Sequence, residues 1–250
     1  MWNYYFERKM SIIAKDITKF YGDKCVLNNL TIEINPKEIV GLLGPNGAGK
    51  TTMFYSILGI IKINSGKVYV DGKDVTNLPV YLRVREGIGY LSQEPSIFRK
   101  LTVEENLYVA AEIFYKNKKE QKNIVEQKLE EFHLQHLRKQ KAYTLSGGEK
   151  RRCEIARVLI CRPKYLLLDE PFVGIDPKTI EELQNVIIKL KELGIGILLT
   201  DHNVRETLQI VDRAYIIYKG DILIQGNAQQ LINDETARRV YLGERFTMNL

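Results

Sequence analysis

Gly44-Pro45-Asn46-Gly47-Ala48-Gly49-Lys50-Thr51 sets three glycines, a lysine and a hydroxyl within eight residues. That set suits backbone N–H groups closing around phosphate oxygens. An apolar run, Ile39 to Leu43, precedes it and a helical run follows, which is the strand-to-helix context the phosphate-binding loop, or P-loop, requires. The helix start adds a partial positive charge. Lys50 is expected to reach the β and γ phosphates of a nucleotide, the Thr51 hydroxyl to ligate Mg2+, and Thr52 to add a further phosphate donor.

A second constellation is Leu166-Leu167-Leu168-Asp169-Glu170, an apolar strand delivering two carboxylates at its end. Two acids at a strand end are common without any chemical task. After a complete P-loop they suit two different ones: Asp169 holding the metal, directly or through water, and Glu170 orienting the attacking water and accepting its proton. A third is Leu145-Ser146-Gly147-Gly148-Glu149, where Ser146 and Glu149 have capping-box spacing. That is an ordinary helix start, yet the two glycines leave N–H groups open to an anion, so the same turn can bind a terminal phosphate.

The elements that must carry these groups are legible from periodicity. Ile12 to Ile34 alternates, with Ile32 and Ile34 opposite Thr31 and Glu33, as in half-buried antiparallel strands. Val68-Tyr69-Val70 before Asp71-Gly72 is a hairpin signal. Ile39 to Leu43, Tyr165 to Leu168 and Ile195 to Leu199 are unbroken apolar runs, expected of parallel strands covered on both faces. From Gln93 to the second glycine-rich motif the pattern turns helical, with a Lys-rich interruption at Lys116 to Lys122 expected to join two helices. Ile180, Leu183, Ile187 and Leu190 form one face of a helix after Pro177. The tail carries strand signals at Ala214 to Tyr218 and Ile222 to Gln225, then a helical stretch through Val240.

Bulk properties bound the reading. A chain of 250 residues with 44% hydrophobic content can bury a sizeable core. Its apolar runs fall short of the roughly 20 residues a membrane-spanning helix needs, so the chain is expected to be soluble by itself. Cys25, Cys153 and Cys161 are odd in number and lack metal-ligand spacing, as suits reduced thiols buried or half-buried in a cytoplasmic protein. The 37 basic and 31 acidic residues give a net charge of +6 and are dispersed, which argues against nucleic acid as partner. His133 and His136, three apart in a segment read as helical, are taken as surface or packing residues. The aromatic start, Met1 to Lys9, has its charges after its apolar part, unlike a signal sequence, and is expected to be dispensable or to reflect an upstream start.

In this order the motifs resemble the ATP-binding-cassette (ABC) ATPases, and the resemblance runs from Ser11 to Phe246. It implies an α/β P-loop NTPase fold: a parallel core sheet, an antiparallel β subdomain, and a helical subdomain at about 94–160, all in one domain spanning residues 11–246, with residues 1–10 as an N-terminal extension. It implies a head-to-tail homodimer in which Ser146, Gly147, Gly148 and Glu149 of one copy close over ATP on the P-loop of the other. Gln93 matches the family's glutamine that senses magnesium and water, His202 the switch histidine at the γ-phosphate, Tyr21 the aromatic that stacks on adenine, and Asp176 the loop that communicates across the dimer.

Within that superfamily, four strings look like the ATP-binding subunits of the bacterial lipopolysaccharide-export transporter. They are Ser146 to Arg157, Asp169 to Pro177, Asp201 to Leu208 and Arg239 to Glu244. That branch implies a place on the cytoplasmic face of the inner membrane, held by two transmembrane subunits. Their coupling helices would dock near Phe98 and Arg99, in the segment Glu94 to Arg99. An aromatic and a guanidinium can anchor a helix end, and both are equally compatible with ordinary surface positions. Val173 departs from the small residue usual in its loop. ATP-binding subunits of branched-chain amino acid importers share most of these motifs and remain the near rival. A soluble cassette acting on nucleic acid or ribosomes would carry tandem cassettes or a long coiled coil. The chain has one P-loop, one signature loop and no heptad run. A non-hydrolysing module would lack Glu170 or His202, and both are present.

Overall fold

The computed structural model describes residues 10–244 and 246–248. Of the N-terminal extension, Met1 to Lys9 therefore lie outside the described residues, and Met10 is exposed. The alternating segment forms β1 (Ile12–Tyr21) and β2 (Lys24–Ile34), paired antiparallel. The chain then crosses to β3 (Ile39–Leu43), turns through the glycine-rich loop into α1 (Lys50–Leu58), and returns as the hairpin β4 (Ser65–Val70) and β5 (Lys73–Asp74). These four strands make one antiparallel sheet in the order β2-β1-β4-β5.

After α2 (Val80–Arg85) and β6 (Ile88–Leu91) come three helices, α3 (Val103–Phe114), α4 (Lys118–Glu131) and α5 (Gly147–Leu159). The chain re-enters the core as β7 (Tyr165–Asp169), α6 (Pro177–Glu192), β8 (Gly196–Thr200), α7 (Val204–Ile210), β9 (Arg213–Tyr218), β10 (Asp221–Gly226) and α8 (Ala228–Asn233). The second sheet has the order β10-β9-β3-β8-β7-β6, parallel except for the antiparallel edge strand β10.

Every residue of β3, β7 and β8 is buried, which is why these strands read as unbroken apolar runs. Alternation is still present, but it divides two apolar bodies rather than core from solvent. Val40, Leu42, Leu167 and Leu198 face one body with Met53, Phe54 and Ile57 of α1 and the β1–β2 strands. Ile39, Leu43, Leu166, Leu168, Ile197 and Leu199 face the other, with α3, α5 and α6.

Three details differ from the sequence reading. Most of Lys116 to Lys122 is helix: Asn117 accepts from Lys119 N at 2.8 Å and starts α4, leaving Tyr115 to Asn117 as the joint. His133 has φ +53°, so it ends α4 instead of sharing a helical face with His136. The tail is α8, one turn at Glu235–Ala237 and a π-type turn at Arg238–Leu242, not one helix. The three cysteines are free, Cys153 buried and Cys25 and Cys161 half-buried. Among the described residues no helix is long and apolar enough to cross a membrane.

Candidate functional site

The parallel strands β3, β8, β7 and β6 all end on one edge, and each delivers a motif there. That edge is where open α/β sheets hold ligands. The P-loop leaves β3, His202 follows β8, Asp169 and Glu170 end β7, and Gln93 lies two residues beyond β6.

In the P-loop, Gly44, Gly47 and Gly49 have φ of +147°, +77° and +113°. Gly49, the N-cap of α1, also has no room for a side chain: a Cβ there would lie 2.7 Å from Leu27 Cδ2 and 2.8 Å from the Val26 carbonyl oxygen. Through that contact the β1–β2 hairpin buttresses the loop. Tyr21, at the hairpin's far end, is half exposed, with Lys19 Nζ 4.9 Å from its ring centre. Lys50 is buried and donates to the carbonyls of Gly44 at 2.6 Å and Pro45 at 3.1 Å. Burial pulls its pKa down, against the opposing pull of Glu170 and Asp169. Thr51 and Thr52 sit in the first turn of α1, with Thr51 exposed; Asn46 is exposed and Ala48 N donates back to Pro45 O at 3.2 Å.

Asp169 and Glu170 are both buried. Glu170 has φ +49°, a left-handed conformation that costs a non-glycine residue on the order of 1–2 kcal/mol. It is held there from both sides. Glu170 N donates to Thr200 O at 2.8 Å, and Arg151 Nη2 donates to the carbonyls of Asp169 at 3.3 Å and Glu170 at 3.5 Å. The turn aims the carboxylate so that Oε1 lies 2.7 Å from His202 Nε2, whereas Oε2 is buried with no partner. Asp169 Oδ2 accepts from Tyr90 Oη at 3.3 Å, and its Oδ1 is a second buried oxygen without a partner. Burial, then the neighbouring Glu170 charge, push the Asp169 carboxyl above its ordinary pKa, opposed by Tyr90, Arg151 and Lys50.

An unpaired buried carboxylate oxygen is costly in isolation and suits a cation. Such a hard oxygen is of the type that Mg2+ prefers. Among the described residues no group of three or more His, Cys, Asp and Glu could hold a metal by itself, so such an ion would lean on phosphate oxygens.

The signature turn is the capping box its spacing predicts: Ser146 Oγ accepts from Glu149 N at 3.3 Å, and Glu149 Oε2 accepts from Ser146 N at 2.7 Å. The Ser146 N–H also holds the Glu149 carboxyl below its usual pKa. A Cβ on Gly148 would meet Thr179 Cγ2 at 2.4 Å, so α5 and α6 start in close contact, and one on Gly147 would face only Gly174 O, at 3.6 Å. The structure thus brings together Glu170 and His202, with Lys50 within electrostatic reach of Asp169 and Glu170. Asp176 caps α6, accepting from Thr179 N at 3.1 Å and Thr179 Oγ1 at 2.7 Å.

Phe98 is half exposed with Arg157 5.1 Å from its ring centre, and the exposed Arg99 accepts from Tyr143 N at 3.1 Å through its carbonyl. Sequence reasoning passed over Tyr90, Arg151, Glu154 and Asp201. Asp201 is fully buried, accepts from Phe172 N and Asn203 N at 2.9 Å each, and so ties the loop after Glu170 to the loop carrying His202.

The fold and this edge define a nucleotide-binding cassette, and the chain belongs to the ABC transporter family, whose family model matches residues 27–173. Among its relatives, the lipopolysaccharide export system ATP-binding protein LptB of Haemophilus influenzae is 47% identical over 241 residues, covering 96% of this chain and 100% of that protein. Its Escherichia coli namesake is 46% identical, covering 95% and 99%. A probable ABC transporter ATP-binding protein of Azorhizobium caulinodans is 49% identical, covering 95% and 85%. An ATP-binding cassette of an ABC transporter solved in its ADP conformation superposes with a TM-score of 0.84 at 29% identity, covering 93% of this chain and 98% of that one.

Proposed function

We propose that the protein is the ATP-hydrolysing subunit of an ABC transporter that powers extraction and export of lipopolysaccharide from the inner membrane. The observation that carries this reading is identity of 46–47% along essentially the whole length of proteins named for that export system. The protein is an ATPase, and the reading assigns each step to its own groups. Gly44 to Gly49 and Lys50 cradle the phosphates, Thr52 adds a donor, and Tyr21 stacks on the base. Thr51, Asp169 and Gln93 would hold Mg2+, which would supply charge neutralisation to the nucleotide phosphates. Glu170 takes a proton from the attacking water while His202, 2.7 Å from it, fixes its carboxylate and faces the γ-phosphate.

Ser146, Gly147, Gly148 and Glu149 of a second copy complete each pocket. ATP therefore closes a head-to-tail homodimer and hydrolysis reopens it. Two transmembrane subunits dock near Phe98 and Arg99, keeping the protein on the cytoplasmic face. Glu170→Gln tests the chemistry: turnover is expected to fall on the order of 10²–10⁴-fold, with ATP still bound and the protein stalled as a dimer in size-exclusion chromatography. Unchanged turnover removes Glu170 from the reaction. Masses of the membrane subunits that copurify from native membranes test the transport assignment.

A further inference from the structure

Behind the site the protein buries an ion pair that the hydrolysis step does not use. Glu154 and Arg151 lie one turn apart on α5, almost fully buried, with Arg151 Nη1 donating to Glu154 Oε2 at 3.2 Å. Such a pair adds little net stability, because desolvation offsets its attraction. Apart from one contact with the Ser96 hydroxyl, its remaining hydrogen bonds go to the main chain of two separate segments. Glu154 Oε1 accepts from the backbone N–H groups of Ser96 at 2.6 Å and Ile97 at 3.0 Å. Arg151 Nη1 also donates to Ser92 O at 2.9 Å, and Nη2 donates to the carbonyls of Asp169 and Glu170.

One turn further along α5, Arg157 donates to Ser96 O at 2.9 Å and Ser96 Oγ at 2.6 Å, and its guanidinium stacks on Phe98. Asn106 of α3 brackets the Phe98 backbone, accepting from Phe98 N at 2.9 Å and donating to Phe98 O at 3.1 Å. The segment bearing Phe98 and Arg99 is therefore pinned to α5 by side chains, and α5 is pinned by the same ion pair to the strained turn that aims Glu170.

We propose that Glu154, through Arg151, is a positioning residue that carries displacement of the Ser96–Arg99 segment to the backbone of Asp169 and Glu170, so that the partner's movement sets the hydrolysis geometry. The inference rests on the reading of Phe98 and Arg99 as the contact for the membrane subunits. The leverage is large, since misplacing a reacting group by about 1 Å can cost on the order of 10²-fold in rate. Glu154→Ala removes both halves of the link. Glu154→Gln keeps an oxygen for the Ser96 and Ile97 N–H groups and loses the charge that holds Arg151.

The experiment measures kcat and KM for ATP of each variant twice, as the isolated chain and in complex with the membrane subunits that copurify with the parent, together with yield of the complex. Complexes are expected to assemble in full, with KM within about twofold. The factor by which assembly changes kcat is expected to fall about tenfold or more in Glu154→Ala and by less in Glu154→Gln. A factor equal to the parent's in both variants overturns the inference, as do equal fractional losses in isolated chain and complex, which mark a residue that only packs. Where Glu154→Ala does not fold, Glu154→Gln alone decides by the same criteria. Phe98→Ala separates the two readings: if its complex assembles and turns over like the parent while the Glu154 variants lose their factor, the fault lies with the docking assignment and not with the link.

Discussion

Asp169 and Glu170 are adjacent, yet the structure treats them differently. The surroundings of Asp169 disfavour its charged form: burial, then the Glu170 charge, raise its folded-state pKa above 3.8. With the native state holding its proton longer than the unfolded chain, stability is greatest below 3.8, declines as pH rises through the folded-state value, and stays reduced at neutral pH. Asp169→Asn is accordingly expected to raise the melting temperature at pH 7, to bring no gain below pH 3.8, and to abolish Mg2+-dependent turnover; melts across pH 4 to 7 check the sign. The P-loop and the acid pair ending β7 were legible because each has a fixed residue type at a fixed spacing, whereas His202 was named only through the family resemblance. Arg151, Glu154 and Asp201 were not legible. An Arg and a Glu three apart on a helix read as a solvated surface pair, and nothing local reports that this pair faces inward.

At the scale of elements, α1 carries the P-loop at one end and meets a buried arginine of α2 at the other. Arg83 is 3% exposed and donates to the carbonyls of Ser56 at 2.9 Å and Ile57 at 2.6 Å in the last turn of α1, and to those of Leu78 and Thr76. Burial pushes its pKa down to about 10. Arg83→Met would fill much of the space and leave these carbonyls short of donors. It is expected to cost about 2–3 kcal/mol, read as a lower urea midpoint with unchanged slope, while ATPase measured well below the melt persists. The strands were readable from their periods, and the Ser146 cap from its spacing. The start of α4 was not, because lysines are good helix formers that look like a linker when no apolar residue interrupts them, and the signal was the single Asn117 cap. The ending at His133 depends on a left-handed residue, which polar side chains tolerate without announcing it.

For the whole molecule, the proposed sharing of each pocket between two copies sets the test. Lys50→Met damages one surface and Ser146→Arg the other, so each variant alone is expected to be inactive. Mixing them forms dimers in which one pocket draws both intact surfaces from different copies, and ATPase absent from either preparation is expected to reappear; a silent mixture argues for a pocket built within one chain. The larger architecture carries a further implication. The central sheet keeps the side chains packed under α1 apart from those packed under α3, α5 and α6. Inheritance can therefore rework one layer while leaving the other alone. Substitutions that repack the α3, α5 and α6 layer need no compensating changes among the side chains under α1.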